Sequence, residues 1–305
     1  MTPTIIDAHS HLWLKQDTWV DGKRILSLKN GRSIFMDEEV QMMPPFMIDS
    51  QNTAEIFLSN MDYAQVSGAV VVQEIIDGNQ NEYLAQVQAQ HPDRFFCMGM
   101  PSFSAEGKVE NPMEEFQRID GMGLRGIALP GHRLRFSLHE LMPMFKQMEQ
   151  RGMLLSMCLG EDERQIGEMR EIIQECPQLK VAIGHFGMVT TSAFESQVKL
   201  ALAGANVMVE SGGITWLYHS EFYPYPSAVR SIKEAADWVG MDRLMWGSDY
   251  PRTITAITYK MSYDFVLKSA ELTETEKALF LGENAVRFYG FSHLPHLPYI
   301  KNMSE

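Results

Sequence analysis

The sequence predicts an α/β fold: a closed (β/α)8 barrel of the TIM-barrel type, one domain with a long lid-like insertion after the first strand. Three observations predict it. Short apolar runs alternate with amphipathic segments of helical period along the 305 residues. Most of those runs are continuously apolar, as strands covered on both faces are. No Gly-x-Gly-x-x-Gly follows the first run, so an open doubly wound sheet is only the runner-up.

The apolar runs fall at residues 4–9, 68–73, 95–100, 124–129, 153–159, 180–185, 206–210 and 243–249. Amphipathic segments lie between them at 52–65, 79–91, 112–122, 138–151, 162–176, 192–204, 226–239 and 274–289. Several carry end signals. Ser137 precedes Leu138, and Thr273 stands three residues before Glu276, a capping-box pattern. Gly152 and Gly240 mark helix ends. Eight strand-then-helix units with right-handed crossovers close most simply into a barrel.

Two segments interrupt the rhythm. Residues 12–51 separate the first strand from its helix and hold Trp13, Trp19, Phe35 and Met42-Met43-Pro44-Pro45-Phe46. A connection this long is usually functional. It leaves the end of the first strand, so a lid over the barrel mouth is expected. Residues 211–225 are rich in Gly, Tyr and Trp. The barrel is assigned to residues 1–291 and a surface tail to 292–305.

Composition excludes several classes of function. The formal charge of −13 repels a polyanion, so no nucleic-acid partner is expected. No apolar run is long enough for a membrane span, and no secretory leader is visible. Three cysteines, Cys97, Cys158 and Cys176, have no framework spacing and suit a reducing, cytoplasmic compartment. A small-molecule substrate is expected, and a homodimer is a fair prior.

In such a barrel the active site lies at the C-terminal ends of the strands. The polar residues there are His9 and His11, Gln73-Glu74, the group His132, Arg133 and Arg135, then His185, Glu210-Ser211 and Asp249. His9 and His11 share a strand face, so they can hold one metal ion or grip one substrate oxygen. Arg125 could bind a substrate carboxylate or pair with a buried acid. Arg252 could touch substrate or form a surface ion pair. Tyr225, Tyr223 and Trp216 could stack on a flat ring or pack within their loop. Glu74 reads as a partner for a histidine or as a solvated strand end.

With these residues in hand, the chain resembles the amidohydrolase superfamily of the amidohydrolase 2 type, in particular its lactone hydrolases and related decarboxylases. The resemblance rests on Ile6-Asp7-Ala8-His9-Ser10-His11, Gly184-His185-Phe186-Gly187 and Asp242-Arg243-Leu244-Met245-Trp246-Gly247-Ser248-Asp249-Tyr250-Pro251. Residues 206–212, followed by Tyr223-Pro224-Tyr225, look like the lactonase subgroup, and residues 282–289 like the closing helix. The resemblance implies a divalent metal, usually zinc, held by His9, His11 and Asp249. It also implies Asp249 as general base, and His185 as a further ligand or a proton-transferring group that polarises the carbonyl.

Two positions depart from the pattern. The strand-five histidine is absent. Leu155-Ser156-Met157-Cys158-Leu159-Gly160 stands there, with Cys158 either a thiolate ligand or a small buried hydrophobe. Glu210 occupies a position where the lactonase subgroup tends to carry lysine. Some lactonases of the superfamily work without metal, so the resemblance implies either a divalent ion at this site or a metal-free one. The reading is a hydrolase acting on a lactone of sugar-acid or aromatic-catabolic type, with Asp249 and His185 catalytic and Arg125, Arg252 and Tyr225 on the substrate. The alternatives are a metal-dependent non-oxidative decarboxylase of an aromatic or unsaturated acid, and a barrel that binds a small molecule without turnover.

Overall fold

The computed structural model describes residues 3–104 and 107–303. The outermost residues of the expected barrel and tail, 1–2 and 304–305, lie outside that range. The barrel strands are β1 (Ile6–Ser10), β6 (Gly68–Val71), β7 (Phe95–Gly99), β8 (Gly126–Leu129), β9 (Leu154–Met157), β10 (Val181–Ile183), β11 (Val207–Glu210) and β12 (Leu244–Met245). Strands β2 (Asp17–Val20), β3 (Lys23–Ser27), β4 (Arg32–Phe35) and β5 (Glu38–Gln41) form a separate sheet. The eight barrel strands pair in chain order, all in parallel. Each expected apolar run holds one of them, and every residue in them is buried.

Burial on two faces explains the continuous apolar runs. One face packs outward on the helices, through residues such as Ile127, Leu155, Val181 and Val209. The other fills the barrel, where Ala8, Ala128 and Ala182 leave room for Phe96, Met98, Leu154, Met208 and Met245. Phe288, Tyr289 and Phe291, from the end of the chain, join the same interior cluster. The Thr273–Glu276 capping box is present, and Gly152 ends its helix in the left-handed conformation.

The ring closes between β12 and β1. Ala8 N donates to Trp246 O at 2.9 Å, Asp249 N to His9 O at 2.9 Å, and His11 N to Tyr250 O at 2.8 Å. A buried carboxylate, Asp7, fastens the same seam. It accepts from His9 N (3.1 Å), Ser248 N (2.9 Å), Ser248 Oγ (2.5 Å) and Tyr259 OH (2.7 Å). Burial pushes its pKa up to about 6 against the opposing effect of these bonds.

The insertion is not a loop. Its four strands form an antiparallel sheet in the order β2-β3-β4-β5. The turns explain it: Asp21-Gly22 and Asn30-Gly31 both adopt positive φ, as tight hairpin turns require. Val20 and Ile25 pack on Ile76, in the turn after β6, with Phe35 and Met42 beside them. The sheet therefore braces one side of the barrel mouth. The expected lid is not confirmed: among the described residues, none from 12–51 lines the cavity around His9 and Asp249, while residues 18–22 line a neighbouring cleft that shares Arg133 with it. Val20, Ile25, Phe35 and Met42 of the segment pack with Ile75 and Ile76, Trp13, Met43 and Met47 form a cluster of their own, and Trp19 and Phe46 stay exposed.

The tail runs back along the first helix, α1 (Ala54–Tyr63), with Gln65 Nε2 donating to Pro298 O at 3.2 Å and Asn302 Nδ2 to Tyr63 OH at 2.8 Å. Among the described residues no helix is long and apolar enough to cross a membrane. All three cysteines are free.

Gly282 sits where the closing helical segment crosses the start of β1. A Cβ there would lie 1.9 Å from Thr4 O, a backbone atom that cannot swing aside. Gly282→Ala should therefore lower stability by about 1–3 kcal/mol or more, read as a drop in Tm. An unchanged Tm would show that this crossing has slack.

Candidate active site

The strand ends bring the predicted cluster together. The pairing of β1 with β6 loses register between Asp7 and Ser10, at the histidine that begins the site. His9 and His11 are 1% and 2% exposed, and their Nε2 atoms lie 3.2 Å apart. Asp249 Oδ1 is 3.0 Å from His11 Nε2 and 3.8 Å from His9 Nε2. The His185 ring lies 4.5 Å from that of His9, centroid to centroid.

Each imidazole has its other nitrogen held from behind. His9 Nδ1 donates to Glu210 Oε1 at 2.7 Å, His11 Nδ1 to Asp77 Oδ2 at 2.7 Å, and His185 Nδ1 to Gly212 O at 2.7 Å. A carbonyl or carboxylate oxygen only accepts, so Nδ1 carries the proton in each ring. Three Nε2 atoms are left facing inward. Burial, then the neighbouring His9, lowers the pKa of His185 to about 4. In the neutral ring protonated at Nδ1, Nε2 carries the lone pair.

The two bare nitrogens of His9 and His11 cannot simply face each other at 3.2 Å. Either a proton or a cation must lie between them. In the chain alone the proton sits on His11. Burial opposes its charge, but Asp77 and the hydrogen bond to Asp249 outweigh burial and raise its pKa to about 9. Burial likewise disfavours the Asp249 carboxylate, yet Arg252, His11 and His185 hold it well below the usual carboxylate range. Asp77, Glu210 and Asp249 surround the rings, with the Arg252 guanidinium between Asp77 and Asp249 at 3.2 and 3.4 Å. His9, His11 and Asp249 offer three ligand atoms within 4.8 Å of one another. That donor set, with an excess of acid around it, fits a divalent ion.

Asp249 itself is clamped. Trp216 Nε1 donates to its Oδ2 at 2.7 Å. Its backbone is left-handed (φ 57°), as are those of His185 (φ 55°) and Phe186 (φ 47°). Positive φ at three non-glycine residues on strand ends marks positions that the fold over-determines. Above them opens a cavity of about 300 Å³, lined by Met188, Leu159 and Trp216 together with His132, Arg133 and Arg252, and also by Glu74 and Glu161. Glu74 meets the Arg133 guanidinium there through two bonds, one of them Nη2 to Oε2 at 3.1 Å, instead of supporting a histidine.

Two expected substrate residues lie elsewhere. Arg125 precedes β8, which puts it at the opposite end of the barrel. Its guanidinium donates to Tyr289 O at 3.1 Å and stacks 4.3 Å over Phe96. Tyr225 turns into the core with φ 55° and packs edge-on against Phe265, 5% exposed. Tyr223 OH is held by Asp264 Oδ2 at 2.9 Å. Of the expected substrate group, Arg252 lines the cavity. Sequence reasoning missed Asp77. Its signal was its place just past the second strand, at the end of the short helical turn Ile75–Asp77 that follows β6.

A family model described as amidohydrolase matches residues 6–291. No curated protein matches the chain. Among solved structures, a probable 2-pyrone-4,6-dicarboxylic acid hydrolase of Acinetobacter baumannii, with citric acid bound, superposes with a TM-score of 0.67 at 18% identity, over 94% of this chain and 100% of that one. An amidohydrolase of Burkholderia multivorans with bound zinc gives 0.68 at 15% identity, over 96% and 100%. The 5-carboxyvanillate decarboxylase of Sphingomonas paucimobilis gives 0.63 at 15%, over 95% and 100%. At such identities these likenesses establish a common fold.

The Asp77–His11 pair makes a measurable claim. In metal-free protein, Asp77→Asn should bring the His11 pKa down from about 9 toward its ordinary value, followed by NMR titration. A value still near 9 would refute the assignment. Because the folded pKa is raised, the stability this pair supplies is complete below roughly pH 6.5 and is lost as pH rises through about 9.

Proposed function

Because the chain belongs to the amidohydrolase family, we propose that it is a hydrolase that opens a lactone of sugar-acid or aromatic-catabolic type, with Asp249 as the group that takes the proton from the attacking water. The observation that carries this reading is Asp249: a buried carboxylate oriented by Trp216, Arg252 and His11 at the floor of a cavity of about 300 Å³.

The cavity suits a flat, oxygen-rich ring. Trp216 and Met188 cover its apolar faces, and His132, Arg133 and Arg252 stand where a carboxylate substituent would point. The lactone carbonyl enters toward His9, His11 and His185, and water approaches from the side of Asp249. Attack breaks the water O–H bond, with the proton passing to Asp249. The ring oxygen then leaves from the tetrahedral carbon and takes a proton back, which gives a hydroxy acid. His9, His11, His185 and Asp249 are the residues that would hold a divalent ion, and when bound it would acidify a water and draw electron density from the carbonyl.

A second reading draws on the same donor set. Inward-facing Nε2 atoms beside a carboxylate also suit a metal-dependent, non-oxidative decarboxylase of an aromatic or unsaturated acid. Product separates the two.

A panel of sugar and pyrone lactones, scored by acid release, run beside a panel of aromatic acids, scored by CO2, should give turnover in the first panel. CO2 release alone would transfer the assignment to the decarboxylase, and inactivity in both would leave a binding barrel. Asp249→Asn should cut kcat by about 10²–10⁴-fold, and near-normal turnover would remove Asp249 as base. Trp216→Phe deletes one charge-assisted donor worth roughly 1.5–3 kcal/mol. Its kcat should fall about ten- to a hundredfold, with the cavity intact.

A further inference from the structure

A second donor set overlaps the first. Cys158 Sγ, at the end of β9, lies with one nitrogen each of His9 and His185 inside a 4.8 Å cluster. With their Nδ1 atoms committed to Glu210 Oε1 and Gly212 O, both rings turn Nε2 to that space. His9, His185 and Cys158 line a small cavity of about 30 Å³ beneath the main pocket, room for an ion or a water and too little for an organic group. The backbone makes way for the sulfur: a Cβ on Gly184 would stand 2.6 Å from Cys158 Sγ and 2.9 Å from Glu210 Oε1.

From this we infer that Cys158 is a sulfur donor, and that His9, His185 and Cys158 form a seat for a thiophilic divalent ion next to His11 and Asp249. The inference deepens the proposed reading of this site and rests on it only in that the imidazoles hold an ion. A nitrogen–sulfur seat with one carboxylate beside it takes zinc or cobalt in preference to magnesium or manganese, whose ligands are oxygens. As the ion binds, the Cys158 S–H bond breaks, a metal–sulfur bond forms and the proton goes to solvent. Cys97 and Cys176 are buried elsewhere and take no part.

Cobalt(II) titrated into chelator-treated protein tests this without any substrate. The expected spectrum has a sulfur-to-cobalt charge-transfer band in the near ultraviolet beside the visible ligand-field bands. Cys158→Ser should lose the ultraviolet band and keep visible cobalt absorption from the remaining ligands. Should that variant not fold, X-ray absorption on the wild-type zinc protein decides instead, with a sulfur shell at about 2.3 Å expected. Cobalt bound without the ultraviolet band, no cobalt bound, the band surviving in Cys158→Ser, or a zinc shell of nitrogen and oxygen alone would each overturn the inference. Lactone turnover alongside any of these leaves the proposed function standing. A sulfur band in protein inactive on both substrate panels leaves the metal seat standing and removes the lactonase.

Discussion

One buried carboxylate sets the geometry on which the site depends. Asp7 accepts from the backbone of His9 on one side and from Ser248 on the other, with Tyr259 completing its contacts. Residues near the two ends of the chain thereby share one anchor, and the next residues along, His11 and Asp249, meet at 3.0 Å. An acceptor with four donors around it has little freedom to shift. Burial still raises its pKa to about 6, so the seam keeps a group that would rather be neutral in order to hold two strand ends in register.

The rest of the site follows from charge. Three acids crowd a pair of imidazoles that are almost out of water. Unpaired buried charge is costly, and the site answers with Arg252, shared between Asp77 and Asp249, and with a proton on His11. A divalent ion would do the same work with higher charge density. A fold of this kind hosts more than one chemistry, so the fold alone does not decide the reaction.

Much of the fold was legible because the barrel strands are buried on two faces, and that leaves an unmistakable run such as Gly68-Ala69-Val70-Val71. The ends of those runs named His9, His11, His185 and Asp249 directly. What escaped depended on contacts far apart in sequence or on local backbone. Asp77 matters only because it folds against a histidine 66 positions earlier. Arg125 stands at the start of its strand, and its polarity says nothing about which end of the barrel it occupies. Tyr225 sits in a rim loop, but a left-handed backbone turns its ring inward. In the insertion, Asp21-Gly22 and Asn30-Gly31 are the sequence's own signal for hairpin turns. Of its aromatic and methionine side chains, Phe35 and Met42 pack toward Ile75 and Ile76, Trp13, Met43 and Met47 pack on one another, and Trp19 and Phe46 are exposed.

Gln16 lies at the root of that sheet. Fully buried, it accepts from Ser27 N and from Ser33 Oγ within the sheet, and its Nε2 reaches Asp77 Oδ1 at 3.5 Å. Asp77 is the acid behind His11. The accessory sheet and the reacting centre are thus joined by a short polar chain. A chimera that exchanged residues 12–51 for those of another barrel would exchange more than the rim. It would also remove Gln16, and with it one of the contacts around the acid that holds His11.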